Sequence, residues 1–305
     1  MQEIPPTAAA PQQAGTRLPI ADRAGGRPTY IWSMATALEV TLLPGARALL
    51  HLHARELPQK DDLCGAFCVS LALRAGGVRQ HDGAPLDQEA VALAAASVVS
   101  EPADVSALPD GETGRRDYRV ELPKIPDPKL SGTTAAGLIE AVEELAGGEL
   151  CPLPYSGPWT AATLAGLFDA LALAGEAAAL VVNLATGHLW GSHATLSQLL
   201  AHLQDGELDG PEADWQVGHF ACVIGRVRGA AGELYALADT YPALGKDGVH
   251  MQPGELLARA IARPEGPAGG AIAIVSPADA AAVRSSARGL GLEPGSWDNG
   301  TVKPR

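Results

Sequence analysis

The chain has 305 residues and a formal net charge of −13. This length can hold one large domain or two ordinary ones, and a hydrophobic content of 47% is normal for a protein that buries a core. The negative charge argues against binding to nucleic acid, because phosphate recognition needs clustered positive charge. No uncharged apolar run is long enough to cross a bilayer, so we expect no membrane span.

Composition divides the chain into an arm, a domain and a tail. Residues 1–28 are rich in Pro, Gln, Ala and Gly and have no apolar signal core, which predicts a flexible arm and no secretory signal. One domain is expected over 29–292, followed by a loose tail at 293–305. Within the domain, the polar, proline-rich stretch 101–133 predicts a surface insert or lid. Four cysteines are too few for a disulfide scaffold, so the expected location is the reducing cytoplasm.

Strands and helices are mixed along the predicted domain. Short apolar or alternating runs predict strands, the second of them with a turn, at 37–42, 47–53, 177–184, 219–228, 233–239 and 270–275. Cap residues and helical periodicity predict helices at 64–75, 87–97, 134–146, 160–174, 195–204, 254–263 and 277–288.

A thiol, an imidazole and a carboxylate stand in an order that suits nucleophilic catalysis. Cys64 opens a predicted helix, His219 opens an apolar strand much later in the chain, and Asp239 ends the strand that follows. A helix N-terminus and an imidazolium both favour thiolate. In a hairpin of 219–228 and 233–239, His219 and Asp239 lie near one end, and a bulge or bend must absorb their unequal offsets. This arrangement predicts a nucleophile, an acid–base and an orienting group.

The residues around Cys64 suggest further roles. An oxyanion formed on attack needs donors, and the candidates are the side-chain amide of Gln59 and the backbone N–H of Cys64. Asp61 and Asp62 oppose a thiolate electrostatically unless they cap the helix and face outward. Cys64 and Cys68 are spaced like metal ligands on one helix face, but zinc needs two more ligands, and no CxxC or HxxxH motif supplies them. We therefore expect no metal.

Two segments resemble the papain-like cysteine peptidases, especially the bacterial leader-peptide (double-glycine) peptidases. QKDDLCGAFC (59–68) is similar to their nucleophile segment, and HFACVIG (219–225), with the later Asp239-Thr-Tyr-Pro242, is similar to their histidine strand and its Asp-x-x-Pro continuation. The resemblance is confined to these two parts of the chain. It implies an α+β fold in which a helical layer bearing Cys64 packs on a twisted antiparallel sheet bearing His219 and Asp239. Transglutaminase-like folds share the Cys-His-Asp order, generally with a much shorter Cys–His distance.

The resemblance also implies the reaction. Cys64 is the nucleophile, His219 the base, Asp239 the orienting group and Gln59 the oxyanion donor in a cysteine peptidase-like hydrolase. It cleaves a peptide or protein substrate through a thioester and needs no cofactor. An acyltransferase or amide-forming enzyme of peptide natural-product maturation is an alternative on the same residues. A non-catalytic peptide-binding module that has kept the fold is another.

Other histidines and cysteines have simpler interpretations. His188 and His193 flank Trp190 in GHLWGSH, which either lines a substrate cleft by stacking or forms a turn whose tryptophan packs on the core. Cys68 and Cys222 lie in apolar runs and are expected to be core thiols, and Cys151 lies in a proline-rich loop. The remaining histidines have no evident partners in the sequence: His51, His53, His81, His202 and His250.

Overall fold

The computed structural model describes residues 38–81 and 83–302, so the predicted arm at 1–28 lies outside the described residues. An eight-stranded, antiparallel sheet with helices packed against it forms the described domain, which confirms the α+β class. No helix in the described ranges is long and apolar enough to cross a membrane.

The described α-helices are α1 (Ala46–Glu56), α2 (Cys64–Ala75), α3 (Gln88–Ala94), α4 (Ala135–Ala146), α5 (Ala161–Ala172), α6 (Leu196–Asp205), α7 (Gly254–Ala262) and α8 (Pro277–Gly289). The described strands are β1 (Glu39–Leu42), β2 (Gln80–His81), β3 (Ala84–Pro85), β4 (Val99–Ser100), β5 (Lys124–Ile125), β6 (Cys151–Ser156), β7 (Ala179–Ala185), β8 (Gly218–Arg228), β9 (Glu233–Ala238), β10 (Val249–Pro253), β11 (Gly270–Val275) and β12 (Glu293–Pro294). The main sheet has the order β10-β9-β8-β7-β11-β6-β12, with β1 also paired to β8.

All seven predicted helices are confirmed, and the strand prediction for 47–53 is wrong. That segment lies in helix α1, whose buried residues Ala46, Leu49 and His53 recur at helical spacing. Strands β6 and β10 were not predicted. In β6, Pro152 and Pro154 pair with β11 on one side, while β12 covers only the far end of the strand. The open edge therefore accommodates two residues that have no N–H group, and Cys151 lies in a strand rather than a loop.

The predicted bulge in the β8–β9 hairpin is confirmed. Arg226 pairs with Tyr235, but the register shifts by one residue between Val223 and Gly225, so that Ala238 pairs with Cys222. A one-residue shift moves every later side chain to the opposite face of a strand. As a result, Asp239 falls on the same face as His219.

Helix α2 packs on β8 and β7 and is buried along most of its length. Gly65 allows this close approach, because a Cβ atom there would lie 2.8 Å from the Leu138 side chain and 3.2 Å from Phe220. The N-terminus of α2 is thereby held beside the first residues of β8, and this brings Cys64 and His219 together.

The C-terminal segment packs on the domain in its described part, although a loose tail was predicted. Residues 293–294 pair with β6, and the indole Nε1 of Trp297 donates to Asn183 Oδ1 at 3.1 Å. Asn299 Oδ1 accepts from the backbone N–H of Ala135 (3.1 Å), and its Nδ2 donates to the Thr133 carbonyl (3.1 Å). The segment is held against the domain, rather than loose, because Trp297 is buried and because the Asn299 side chain caps helix α4.

Candidate active site

His219 and Asp239 form a buried ion pair. Each is 2% exposed, and His219 Nε2 lies 2.8 Å from Asp239 Oδ1, which also accepts from the Thr240 backbone N–H at 2.7 Å. Burial disfavours the imidazolium, but the charge and hydrogen bond of Asp239 outweigh it and raise the pKa of His219 well above its usual value. Burial also opposes ionisation of Asp239, but His219 and His250 hold its pKa well below its usual range. The pair is therefore charged at neutral pH.

Two residues of β10 support Asp239, and neither role was predicted from the sequence. His250 Nε2 lies 3.1 Å from Asp239 Oδ2, while Gln252 Nε2 donates to His250 Nδ1 at 2.9 Å. This bond leaves the ring proton on Nε2, where it can be donated to Asp239. The Gln252 amide is itself held by the backbone N–H (2.9 Å) and carbonyl (3.0 Å) of Trp190. The signal in the sequence that could have found them was the placement of two polar residues, His250 and Gln252, at alternate positions of one short strand.

Cys64 begins helix α2 and is partly exposed. No side chain caps this helix N-terminus, so its first N–H groups stay available. Because Nε2 of His219 is bound to Asp239, Nδ1 is the atom left for the thiol. A hydrogen bond and the charge of Cys64 add to the rise in the pKa of His219. The structure therefore brings the predicted thiol, imidazole and carboxylate together.

Gln59 lies beside this group and is 4% exposed. Its backbone N–H donates to the Thr240 carbonyl at 2.9 Å, which ties it to the residue next to Asp239. Its side-chain Oε1 is buried and has no hydrogen-bond partner in the described part of the chain. A buried amide that is incompletely paired is costly unless something else binds it. The orphaned atom is an acceptor, whereas the predicted oxyanion donor would use the Nε2 group, for which no hydrogen bond to the described residues is found.

Asp61 and Asp62 do not cap α2, and instead they fasten the 101–133 stretch. Asp62 accepts from the Ser100 N–H and hydroxyl (both 2.9 Å) and from the Ser131 hydroxyl (2.7 Å). Asp61 Oδ1 accepts from the Arg115 N–H at 2.7 Å. Both carboxylates are therefore engaged by the predicted insert and its flank rather than turned outward.

A cavity of about 510 Å³ opens in front of Cys64. Gln59 and Cys64 line it from one side, and the insert lines it with residues 106–108, 128–129 and 131–133. Trp215 also lines it: its indole Nε1 donates to the Ala107 carbonyl at 3.0 Å, and its ring lies edge-on to His219 with 4.7 Å between centroids. The insert therefore forms one wall of the cavity, and Trp215 covers the imidazole.

The GHLWGSH segment does not reach this cavity. Trp190 is 4% exposed, packs with Leu203 and Leu234, and donates from Nε1 to the Leu208 carbonyl at 3.0 Å. His193 is exposed, with its ring 3.1 Å from the Ala243 carbonyl. Neither these residues nor His188 is among the described cavity-lining residues. The alternative interpretation, a turn whose tryptophan packs on the core, describes Trp190.

Asn183 and Arg263 also line the cavity and were missed. Asn183 is 2% exposed in the middle of β7, where its Nδ2 donates to the His219 carbonyl at 3.1 Å. Its Oδ1 accepts from Arg263 Nη1 at 3.1 Å. Asn183 could have been found from the sequence, because its amide is the one polar side chain in the apolar run ALVVNLA. Arg263 follows the end of α7 and carried no signal in the sequence.

These elements define an α+β domain with a thiol at a helix start, beside a buried histidine–aspartate pair. The chain belongs to a family of unknown function, DUF6885, whose model matches residues 43–298. The match includes every residue of the site described above. No curated protein matches the sequence at a significant level.

Proposed function

We propose that the protein is a cysteine peptidase-like hydrolase with a papain-like fold. The observation that carries this proposal is the buried His219–Asp239 ion pair beside Cys64 at an uncapped helix N-terminus. A charged imidazole next to a thiol stabilises thiolate, and a helix N-terminus adds to that effect. A purely structural histidine would not need a buried carboxylate to keep it protonated.

The reacting form has the Cys64 sulfur as thiolate beside the protonated ring of His219, whose Nδ1 holds the proton that the thiol has given up. The thiolate attacks the carbonyl carbon of a peptide amide, and the developing oxyanion is bound by the Gln59 amide and the Cys64 backbone N–H. His219 then gives its proton to the leaving amine as the C–N bond breaks, which leaves a thioester on Cys64. Water, deprotonated by His219, attacks the thioester and releases the acid. Asp239 keeps the ring oriented throughout.

The surroundings of the thiol suit a peptide substrate. The cavity volume falls within the range of small-ligand sites, and its walls combine polar groups with the aromatic ring of Trp215. This chemistry needs no organic cofactor or metal. A reducing compartment such as the cytoplasm keeps the thiol available.

Alkylation of Cys64 tests the proposal. The native chain, Cys64→Ala and His219→Ala are treated with iodoacetamide at pH 6, and labelling is followed by intact mass. We expect rapid single labelling of the native chain, which both substitutions abolish. Cys151→Ala is the matched control, because Cys151 is also partly exposed, and it should label like the native chain.

Slow labelling that does not depend on His219 would contradict the proposal. The fold would then be better assigned to a non-catalytic peptide-binding module. If labelling is rapid, a peptide-library search for substrates follows, with and without added amines, to separate hydrolysis from acyl transfer.

A further inference from the structure

Arg263 is a cation without an acidic partner among the described residues. It follows α7 in a left-handed conformation (φ 46°). Its Nη1 donates to two neutral acceptors, Asn183 Oδ1 at 3.1 Å and the Asn299 carbonyl at 3.4 Å. Its Nε is buried without a hydrogen-bond partner, and no described hydrogen bond uses Nη2. Burial lowers the pKa of the guanidinium, and nothing charged offsets that cost in the described part of the chain.

The guanidinium lies next to the proposed catalytic histidine. Arg263 lines the same cavity as Cys64. A Cβ atom on Gly218, the residue before His219, would lie 2.9 Å from Arg263 Nη2. Asn183 connects the two groups, since it accepts from Arg263 Nη1 and donates to the His219 carbonyl. Because residue 218 is a glycine, Arg263 Nη2 has room to lie beside it. Through Asn183, the guanidinium is two hydrogen bonds away from the backbone of His219.

Other charged residues line the cavity, and they differ in whether they are already bound. Asp61 and Asp62 accept from the insert and its flank, as described above, and Asp104 Oδ1 accepts from the Ser106 N–H (3.1 Å) and hydroxyl (2.5 Å). The cations are Arg263 and the exposed Lys129, which forms no ion pair within the described residues. The carboxylates are therefore used by the protein itself, and the cations are available to a ligand.

Building on the proposed function, we infer that Arg263 determines specificity by binding a carboxylate of the substrate. The substrate class is then peptides that carry a carboxylate near the scissile amide, either the free C-terminus or an acidic side chain. The Nε and Nη2 groups form one edge of the guanidinium, and a carboxylate binds such an edge through both oxygens. This contact would give the orphaned Nε a partner.

Matched alkylating agents test the inference on Cys64. N-iodoacetyl-glycine and N-iodoacetyl-glycinamide have the same reach and differ in one negative charge. We expect the acid to label Cys64 with saturable kinetics and at least about 10-fold faster than the amide, the size typical of one charged hydrogen bond. Arg263→Gln should bring this ratio to about one, and the ratio is independent of any change in Cys64 reactivity because both reagents meet the same thiol. Arg263→Lys should give an intermediate ratio, because it keeps the charge and loses the paired donors.

Controls separate Arg263 from the rest of the surface. Arg259→Gln removes an equal charge from an exposed position of α7 and should keep the native ratio. The α-amide of N-iodoacetyl-glutamate repeats the measurement with a side-chain carboxylate, which distinguishes the two sources. The inference would be overturned if the acid and the amide of every reagent pair labelled Cys64 at equal rates. A preference that survives Arg263→Gln, or one that only Lys129→Gln removes, would also overturn it.

Failure of the proposed function has a different signature. The neutral amide reports on the Cys64–His219 pair alone, so slow labelling of the native chain by that reagent would contradict the peptidase proposal. The acid-to-amide ratio can then be measured at pH 9, where thiols react without help from a base. A ratio that depends on Arg263 at that pH would still support the carboxylate site.

Discussion

The two halves of the candidate site are built differently. On the histidine side, Asp239 receives hydrogen bonds from His219, His250 and the Thr240 N–H, and Gln252 holds His250 in turn. These groups are buried and paired with one another. On the thiol side, Cys64 is partly exposed and Gln59 has an unpaired oxygen. Paired groups hold an orientation, whereas unpaired groups in a cavity retain the capacity to bind.

This difference assigns separate tasks to the two sides. A buried, satisfied network resists rearrangement, because breaking one of its bonds leaves a buried polar group without a partner. The histidine side can therefore hold the imidazolium in one orientation before any substrate arrives. The thiol side has the uncapped first N–H groups of α2, which are donors that a substrate carbonyl could use. Substitutions on the first side should cost both folding and reactivity, and substitutions on the second should cost reactivity alone.

The largest effect is expected for Asp239→Asn. This change removes the charge that raises the pKa of His219 and gives the imidazole a donor in place of an acceptor. Acetylation of Cys64 by 4-nitrophenyl acetate should slow by about 10²–10⁴-fold. The free energy of unfolding, measured in urea, should fall by about 3–5 kcal/mol, as when a buried ion pair loses one partner. Asp169→Asn, at the half-exposed partner of Arg226, is the control and should change neither rate nor stability as strongly.

The loss of stability should depend on pH. Asp239, with its lowered pKa, stabilises the fold above the ordinary pKa of an aspartate. His219, with its raised pKa, stabilises it below the ordinary pKa of a histidine. The contributions of Asp239 and His219 to the free energy of unfolding are both fully present between about pH 4 and pH 6.5. The difference between native and Asp239→Asn chains should be largest there and shrink as the pH rises through the raised pKa of His219. A difference that does not vary with pH would contradict the buried ion pair.

A smaller and more selective effect is expected for Gln59→Ala. Acetylation of Cys64 passes through an oxyanion, whereas alkylation by iodoacetamide does not. Removing the amide should slow acetylation by about 10²–10³-fold and leave alkylation within about threefold of the native rate. The free energy of unfolding should not fall as it does for Asp239→Asn. Gln216→Ala removes a second, exposed glutamine of the cavity wall and is the matched control. Equal losses in both reactions would show that Gln59 merely supports the thiol.

The smallest effect is expected for His250→Gln. Glutamine can also donate to Asp239 Oδ2, so the carboxylate keeps a partner while the buried network loses its fit. Alkylation of Cys64 should slow by no more than about 10-fold, and the free energy of unfolding should fall by about 1–3 kcal/mol. His250→Ala, which supplies no donor, should be worse in both measurements. If the two variants behave alike, the bond from His250 to Asp239 does not orient the histidine side.

Local signals predicted a part of this site. A thiol at a helix start and a hairpin with unequal arms were enough to bring Cys64, His219 and Asp239 together and to require the bulge. The strand prediction at 47–53 failed because a short apolar run does not distinguish strand from helix without its burial pattern. His53, on that helix, contacts the Asp239 carbonyl, a link that the sequence alone did not suggest.

The remaining residues depend on tertiary register. His250 reaches Asp239 only because β10 pairs with β9 from Val249 to Pro253. Arg263 reaches the cavity only because α7 packs on β7 and the chain leaves it in a left-handed turn. Such positions follow from how distant segments pack, and neither composition nor spacing encodes them locally.

The separation of Cys64 from its partners along the chain has a consequence for biosynthesis. A ribosome that has just completed helix α4 has made the thiol, the insert and helix α2, but none of the histidine side. A nascent chain of that length carries an ordinary cysteine, because the imidazole and carboxylate that would activate it have not yet been joined to the chain. On the proposed function, nucleophilic reactivity would arise only after the last strands are added and docked, and an interrupted synthesis would leave an inert fragment.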